Sequence, residues 1–114
     1  MLTDKLYQTL FEDLQSAFAF EQKGELNKSR VIARQVAGKA IRVLYDHLNL
    51  DTTQGMTPYQ YLVDSFNHKE IFSPVLNELS ALTTRVNVDF SFSGNMNLIT
   101  AAENILLFVK EFRD

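Results

Sequence analysis

Apolar residues recur every three or four positions along most of the chain, which is the spacing of one buried face of an α-helix. The first such stretch starts at Thr3 or Asp4, and we expect it to end near Gly24. The second begins close to Asn27 or Ser29. Its apolar arc covers about half of the helix circumference at about 100° per residue. We therefore expect the second helix to pack against more than one neighbour.

A glycine lies in the middle of the second helical stretch. Gly38 in a helix interior costs about 1 kcal/mol of stability relative to alanine. Three neighbouring residues, Ala33, Ala37 and Ala40, are also small. We expect this face of the helix to make a close contact with another helix.

Two pairs of residues predict where further helices begin. Thr57-Pro58 and Ser73-Pro74 each combine a hydroxyl side chain that can cap a helix with a proline suited to the first helical position. Gln60 follows Thr57 by three residues, as in a capping box. We expect a short third helix after Thr57 and a fourth helix after Ser73.

The pattern changes to alternation of apolar and polar residues between Val86 and Gly94. This period is typical of a β-strand, but a single strand leaves its backbone hydrogen bonds without partners. Two interpretations follow: an extended loop that packs alternate side chains onto the helices, or an edge that pairs with a partner chain. The side chains that would make this contact are Val88, Phe90 and Phe92.

The last apolar stretch runs from about Asn97 to Phe112 and is apolar on all sides around Leu107 and Phe108. Exposure of both side chains would create an apolar patch, so this helix is expected at the centre of the fold or in a subunit interface. Together these elements predict an all-α fold, an antiparallel up-and-down bundle of four to five helices.

Composition adds the number of domains and the compartment. The chain has 114 residues, of which 46% are hydrophobic and 22% charged, the balance of one globular domain. It has no cysteine, which excludes disulfides and thiolate metal sites. We expect a single domain over residues 1–114, located in the cytoplasm, without a signal peptide or a membrane-spanning segment.

The net charge is −3, so the chain lacks the positive field of a general nucleic-acid binder and shows no signal specific for DNA. The second helix nevertheless concentrates basic residues, and Lys39 and Arg42 are expected on its solvent side. One interpretation is that these cations pair with acids of neighbouring helices, such as Glu12, Asp13 and Glu21. The other is that Lys39 and Arg42 bind RNA, a nucleotide or another phosphate. The basic residues of this helix are Lys28, Arg30, Arg34, Lys39 and Arg42.

The two histidines, His47 and His68, are candidate metal ligands or catalytic groups. His68 follows Asp64 by four residues, a spacing that would let both bind one metal ion. A single pair falls short of the four carboxylates and two histidines of a di-iron bundle, so we expect no metal and no cofactor. His47 is expected within the apolar arc of the second helix, near its C-terminal end.

The run from Ser29 to Arg42, followed after a polar loop by a Tyr-x-x-Leu helix at Tyr59 to Leu62, resembles the HEPN-like helical bundles. The resemblance covers most of the chain in the order and spacing of its helices. It implies either of two functions, because some members are metal-independent ribonucleases and others have lost that activity. The ribonuclease motif is an arginine and a histidine four to six residues apart, often composed across a dimer interface.

Arg42 and His47 match the spacing of that motif. On an unbroken helix, five steps of about 100° leave the two side chains roughly 140° apart. They could share a site only across a dimer or beyond a break in the helix. In the ribonuclease interpretation, His47 is the general acid and base, and Arg42 stabilises the charge that develops on the phosphate.

We favour a non-catalytic HEPN-like interaction module over the ribonuclease. Such a module would form a homodimer or bind another protein. Its expected contact surface is the last helix, through Leu107 and Phe108, or the segment that carries Val88, Phe90 and Phe92.

Overall fold

The computed structural model describes residues 2–52, 55–84 and 97–113. Every regular element within these ranges is helical, and the all-α bundle predicted from the sequence is confirmed. None of these helices is long and apolar enough to span a bilayer. The α-helices are α1 Asp4–Gln22, α2 Leu26–Leu48, α3 Pro58–Asp64, the single-turn α4 Lys69–Phe72, α5 Leu76–Thr83 and α6 Leu98–Lys110, with 3₁₀ turns at Ser65–Asn67 and Ser73–Val75.

Side chains cap three of the helices at their N-termini. The Thr3 hydroxyl accepts a hydrogen bond from the Leu6 amide, and the Asn97 side chain accepts from the first amides of α6. Thr57 and Gln60 form a reciprocal capping box at the start of α3. Because capping depends on side chains within one helical turn, the sequence located these helix starts.

The chain between α3 and α5 forms several short helical segments that the sequence did not predict. Helix α3 ends at Asp64, and the chain then tightens into the 3₁₀ turn Ser65–Asn67. The buried Ser65 hydroxyl donates to the Leu62 carbonyl at 2.6 Å and so competes with regular helical bonding. Ser73-Pro74 opens a 3₁₀ turn, and α5 begins at Leu76.

Helices α2 and α6 form the centre of the bundle. Helix α2 packs against α1, α3 and α6, and α6 also contacts α1 and α5. The expectation that α2 has several neighbours is confirmed. The core includes small side chains such as Ala37 of α2 and Ala101 of α6, both fully buried. It also includes larger ones such as Ile41 and Ile105, each of which contributes about 1.5–3 kcal/mol through burial.

The contact between α2 and α3 depends on Gly38. A Cβ atom at this position would overlap the backbone carbonyl of Pro58, the first residue of α3. Backbone atoms cannot rotate away as a flexible side chain can. The absence of a side chain at Gly38 is therefore what allows α3 to lie against α2, as the sequence predicted in general terms.

A row of aromatic rings connects α3 to the end of α6. Neighbouring ring centroids along it are separated by 5.2, 6.1, 5.9 and 5.8 Å, within the range of favourable aromatic contacts. Phe72 lies in the middle and holds the single-turn α4 in the core. In order, the rings are those of Tyr61, Tyr45, Phe72, Phe108 and Phe112.

Candidate functional site

Arg42 and His47 are both exposed on α2, which runs without a break from Leu26 to Leu48. The predicted position of His47 in the apolar arc is therefore wrong. His47 lies about 200° around the helix from Tyr45, which is fully buried, so its side chain points away from the core. Without a helix break, the two side chains of one chain do not converge.

Lys39 and Arg42 are both exposed, as predicted for the solvent side of α2. Their spacing of three residues makes them neighbours on the helix surface. Other basic residues of α2 have partners that the sequence did not suggest. The Lys28 ammonium pairs with Glu25 in its own helical turn at 3.2 Å, and not with an acid of α1.

Arg34 stabilises the end of α5. Its Nε donates to the Leu82 carbonyl at 2.8 Å, and its Nη2 contacts the Thr84 carbonyl at 3.4 Å. The Tyr59 hydroxyl donates to the intervening carbonyl, that of Thr83, at 3.0 Å. Burial lowers the pKa of Arg34. These bonds satisfy carbonyls at a helix C-terminus that have no partner within the helix.

Of the residues predicted to form an interface, the structure describes Leu107 and Phe108. Leu107 and Phe108 are half-buried, and the Phe108 ring packs 5.9 Å from that of Phe72. Helix α6 lies at the centre of the bundle, as one of the two interpretations expected, and a contact of Leu107 and Phe108 with a partner stays a prediction. Val88, Phe90 and Phe92 lie outside the described residues, so their contact stays a prediction.

Large apolar side chains are exposed on α1, α2 and α3 within the described ranges: Phe18, Leu26, Val31, Tyr59 and Val63. Two surface grooves lie beside some of them. We name the first the corner patch, lined by Phe20, Asn27, Lys28, Val31 and Ile32. We name the second the α3 groove, lined by Gly55, Met56, Tyr59, Gln60, Val63, Asp64 and Asn67.

The corner patch contains a shallow, almost wholly apolar groove of about 390 Å³. Phe20 of α1 forms one wall, and Val31 and Ile32 of α2 form the other. The Lys28 ammonium lies 5.4 Å from the centre of the Phe20 ring, a cation–π contact at the edge of the groove. This patch offers burial of apolar surface and little directional bonding.

The α3 groove is larger, about 460 Å³, and has mixed chemistry. Met56, Tyr59 and Val63 supply apolar surface, whereas Gln60, Asp64 and Asn67 supply polar groups. None of its seven lining residues is lysine or arginine. Among the described lining residues, the one carboxylate is therefore that of Asp64, and none is a permanent cation.

Asp64 also belongs to a polar cluster beneath the groove. The hydroxyl of the buried Tyr45 donates to Asp64 Oδ2 at 2.7 Å, and His68 Nε2 lies 3.6 Å from the same oxygen. Asn67 contacts Oδ1 at 3.4 Å. Burial, followed by the hydrogen bond to Asp64, raises the pKa of Tyr45 well above its usual range. The Tyr45 hydroxyl therefore stays neutral and acts as a fixed donor to the carboxylate.

The sequence pointed to Asp64 and His68 through their spacing but missed Tyr45, which joins them from α2. The Nδ1 atom of His68 is 3.9 Å from a carboxylate oxygen of Glu70. Within the part of the chain that the structure describes, no three His, Cys, Asp or Glu side chains are placed to hold a metal ion. The cluster is a carboxylate that accepts hydrogen bonds from Tyr45 and Asn67 and lies next to the imidazole of His68.

The chain was compared with protein families, curated proteins and solved structures. No family model, no curated protein and no solved structure matches it.

Proposed function

We propose that this chain is a non-catalytic, HEPN-like interaction module that forms a homodimer through the corner patch. The observation that carries the proposal is the shallow apolar groove of about 390 Å³ lined by Phe20 of α1 and by Val31 and Ile32 of α2, in which Val31 is 50% exposed. Removing such surface from water contributes about 25 cal/mol per Å². The cytoplasmic location expected from the composition stays a prediction.

The charges beside the corner patch favour a second copy of the chain as the occupant. Lys23 and Glu25 lie in the connection between α1 and α2, and Lys28 follows in the first turn of α2. A two-fold dimer places a surface against itself, so a border with both signs can pair with its copy. A border on which all charges had the same sign would repel the border of the second copy.

The proposed dimer does not use Arg42 or His47. At about 1.5 Å per residue, Arg42 lies about 16 Å along α2 from Val31. The ribonuclease interpretation would need a different dimer that brings Arg42 of one copy to His47 of the other. It stays a prediction, as does phosphate or nucleotide binding by Lys39 and Arg42.

Two variants test the dimer with matched changes. Val31 in the corner patch is 50% exposed, and Val63 in the α3 groove is 48% exposed. Val31→Glu introduces a charge into the proposed interface, whereas Val63→Glu introduces the same charge elsewhere. In sedimentation velocity over a range of concentrations, we expect dimers for the wild type and Val63→Glu, and monomers for Val31→Glu.

Two results would contradict the proposed dimer. One is a wild-type chain that stays monomeric at every concentration; the other is dissociation caused by Val63→Glu and not by Val31→Glu. Helical circular dichroism of both variants shows that they are folded. The proposal that the module is non-catalytic is tested by incubating the protein with RNA without added metal. RNA cleavage by the wild type that disappears in His47→Ala would contradict it.

A further inference from the structure

We propose that the α3 groove binds an arginine side chain of a partner protein, with Asp64 as the counter-ion. This site is separate from the corner patch and does not depend on dimerisation. The proposal is suggested by the partly exposed Asp64 carboxylate, which accepts a hydrogen bond from the buried Tyr45 and lies beside the apolar side chains of the groove.

The Asp64 carboxylate is held in place and still has capacity to accept hydrogen bonds. Tyr45 donates to Oδ2 at 2.7 Å from within the core, which fixes the position of the carboxylate. Among the described residues, Oδ1 has one long contact, with Asn67 at 3.4 Å, and the Asp64 side chain is 33% exposed. A carboxylate has about four acceptor positions, so the side facing the groove can accept further N–H donors.

The groove itself does not supply a permanent positive charge to this carboxylate. His68 Nε2 is 3.6 Å from Oδ2, but an imidazole forms an ion pair only when it is protonated. Among the described residues that line the groove, none is a lysine or arginine. A cation supplied by a partner protein would complement this carboxylate.

The apolar side of the groove favours a cation that is carried on a long aliphatic side chain. Met56, Tyr59 and Val63 can cover the methylene groups of a long basic side chain. Tyr59 is held in advance because its hydroxyl bonds to Thr83 at the end of α5. Arginine fits this surface better than lysine because a guanidinium is more weakly hydrated and stacks on aromatic rings.

The test uses a titration of the ¹⁵N-labelled protein with Nα-acetyl-arginine methylamide, followed by heteronuclear NMR. Nα-acetyl-citrulline methylamide, which has nearly the same shape and no charge, is the matched ligand control. We expect the arginine compound to shift amide signals of residues 56–67 in a saturable manner. We expect the citrulline compound to leave them nearly unchanged.

Protein variants distinguish the contribution of the Asp64 carboxylate to binding from that of the overall negative charge of the protein. Asp64→Asn should weaken binding of the arginine compound about tenfold, through loss of a charge-assisted interaction. Asp46→Asn removes an exposed acid from α2 and should leave binding unchanged. Val63→Lys places a cation at the exposed edge of the groove, and it should block binding even if Asp64→Asn fails to fold.

Equal shifts with arginine and citrulline compounds would overturn the proposal. So would undiminished binding by a folded Asp64→Asn variant, or stronger binding of Nα-acetyl-lysine methylamide. Because Val31→Glu lies outside the groove, it should retain arginine binding. Loss of the dimer and loss of the arginine site are thus distinguishable.

Discussion

The corner patch and the α3 groove both expose apolar side chains on helices, but they differ in how they are connected to the core. The corner patch consists of side chains at helix ends, and its polar contacts, such as Lys28 with Glu25, lie on the surface. The α3 groove is tied to the interior by Gly38 against Pro58 and by Tyr45 bonded to Asp64. Binding at the corner can therefore change with little effect on stability, whereas the groove shares residues with the fold.

The largest effect that would test this comparison is expected from Gly38→Ala. The added Cβ overlaps the Pro58 carbonyl, and α3 must move away from α2. Overpacking typically costs about 1–3 kcal/mol, and the better helix propensity of alanine offsets about 1 kcal/mol. Because the clash is with backbone, we expect a net loss of about 2 kcal/mol in urea unfolding. Gln35→Ala, at an exposed position of α2, is the control, and a more stable Gly38→Ala would contradict the close contact.

Tyr45→Phe should be the next most damaging change, because it removes the donor to Asp64 and leaves the ring in place. Hydrogen bonds to charged groups contribute about 1.5–3 kcal/mol, and partial exposure of Asp64 lets water replace part of this. We expect a loss of about 1–2 kcal/mol. Tyr59→Phe removes an exposed hydroxyl bonded to Thr83 and should cost less. Equal losses would mean that the hydrogen bond from Tyr45 to Asp64 stabilises the fold no more than the one from Tyr59 to Thr83.

The Tyr45 hydroxyl should make the free energy of unfolding depend on pH. The folded pKa of Tyr45 is raised, so its contribution to stability is fully present below the unfolded pKa of about 10 and is lost as pH rises. The difference in unfolding free energy between the wild type and Tyr45→Phe should therefore shrink by about 1 kcal/mol between pH 9 and pH 11. A constant difference over that interval would show that Tyr45 ionises equally in both states.

The smallest effect is expected at the corner patch. Val31→Thr keeps the shape of the side chain at an exposed position and should change the unfolding free energy of the monomer by less than about 0.5 kcal/mol. Val36→Thr makes the same change at a position that is 1% exposed and should cost about 2 kcal/mol. Both are measured at concentrations where the chain is monomeric, since dimerisation adds apparent stability. A large loss in Val31→Thr would mean that the corner patch is part of the core.

The parts of the fold that could be predicted depend on local interactions. Thr57 and Gln60 cap α3 within one turn, so their residue types alone located its start. The end of α3 was not predictable in the same way. The hydroxyl of Ser65 turns back to the Leu62 carbonyl in a buried setting, and burial is a property of the assembled bundle.

The surfaces were harder to predict than the helices. Val31 and Val36 both belong to the wide apolar arc of α2 but lie about 140° apart on it. One is exposed and the other buried because neighbouring helices cover only part of α2. The spacing of Asp64 and His68 within one helical region could be read directly from the chain. The bond from Tyr45 to Asp64 could not, because it joins residues nineteen positions apart on two packed helices.

The contact at Gly38 also has an evolutionary consequence. Any descendant that keeps α3 against α2 must keep a glycine at this place, whereas residues of the corner patch can drift with the choice of partner. Gly38 followed twenty positions later by Pro58, after a capping threonine, thus forms a short signature of the bundle. Distant relatives should be recognisable by this signature even after their surfaces have diverged.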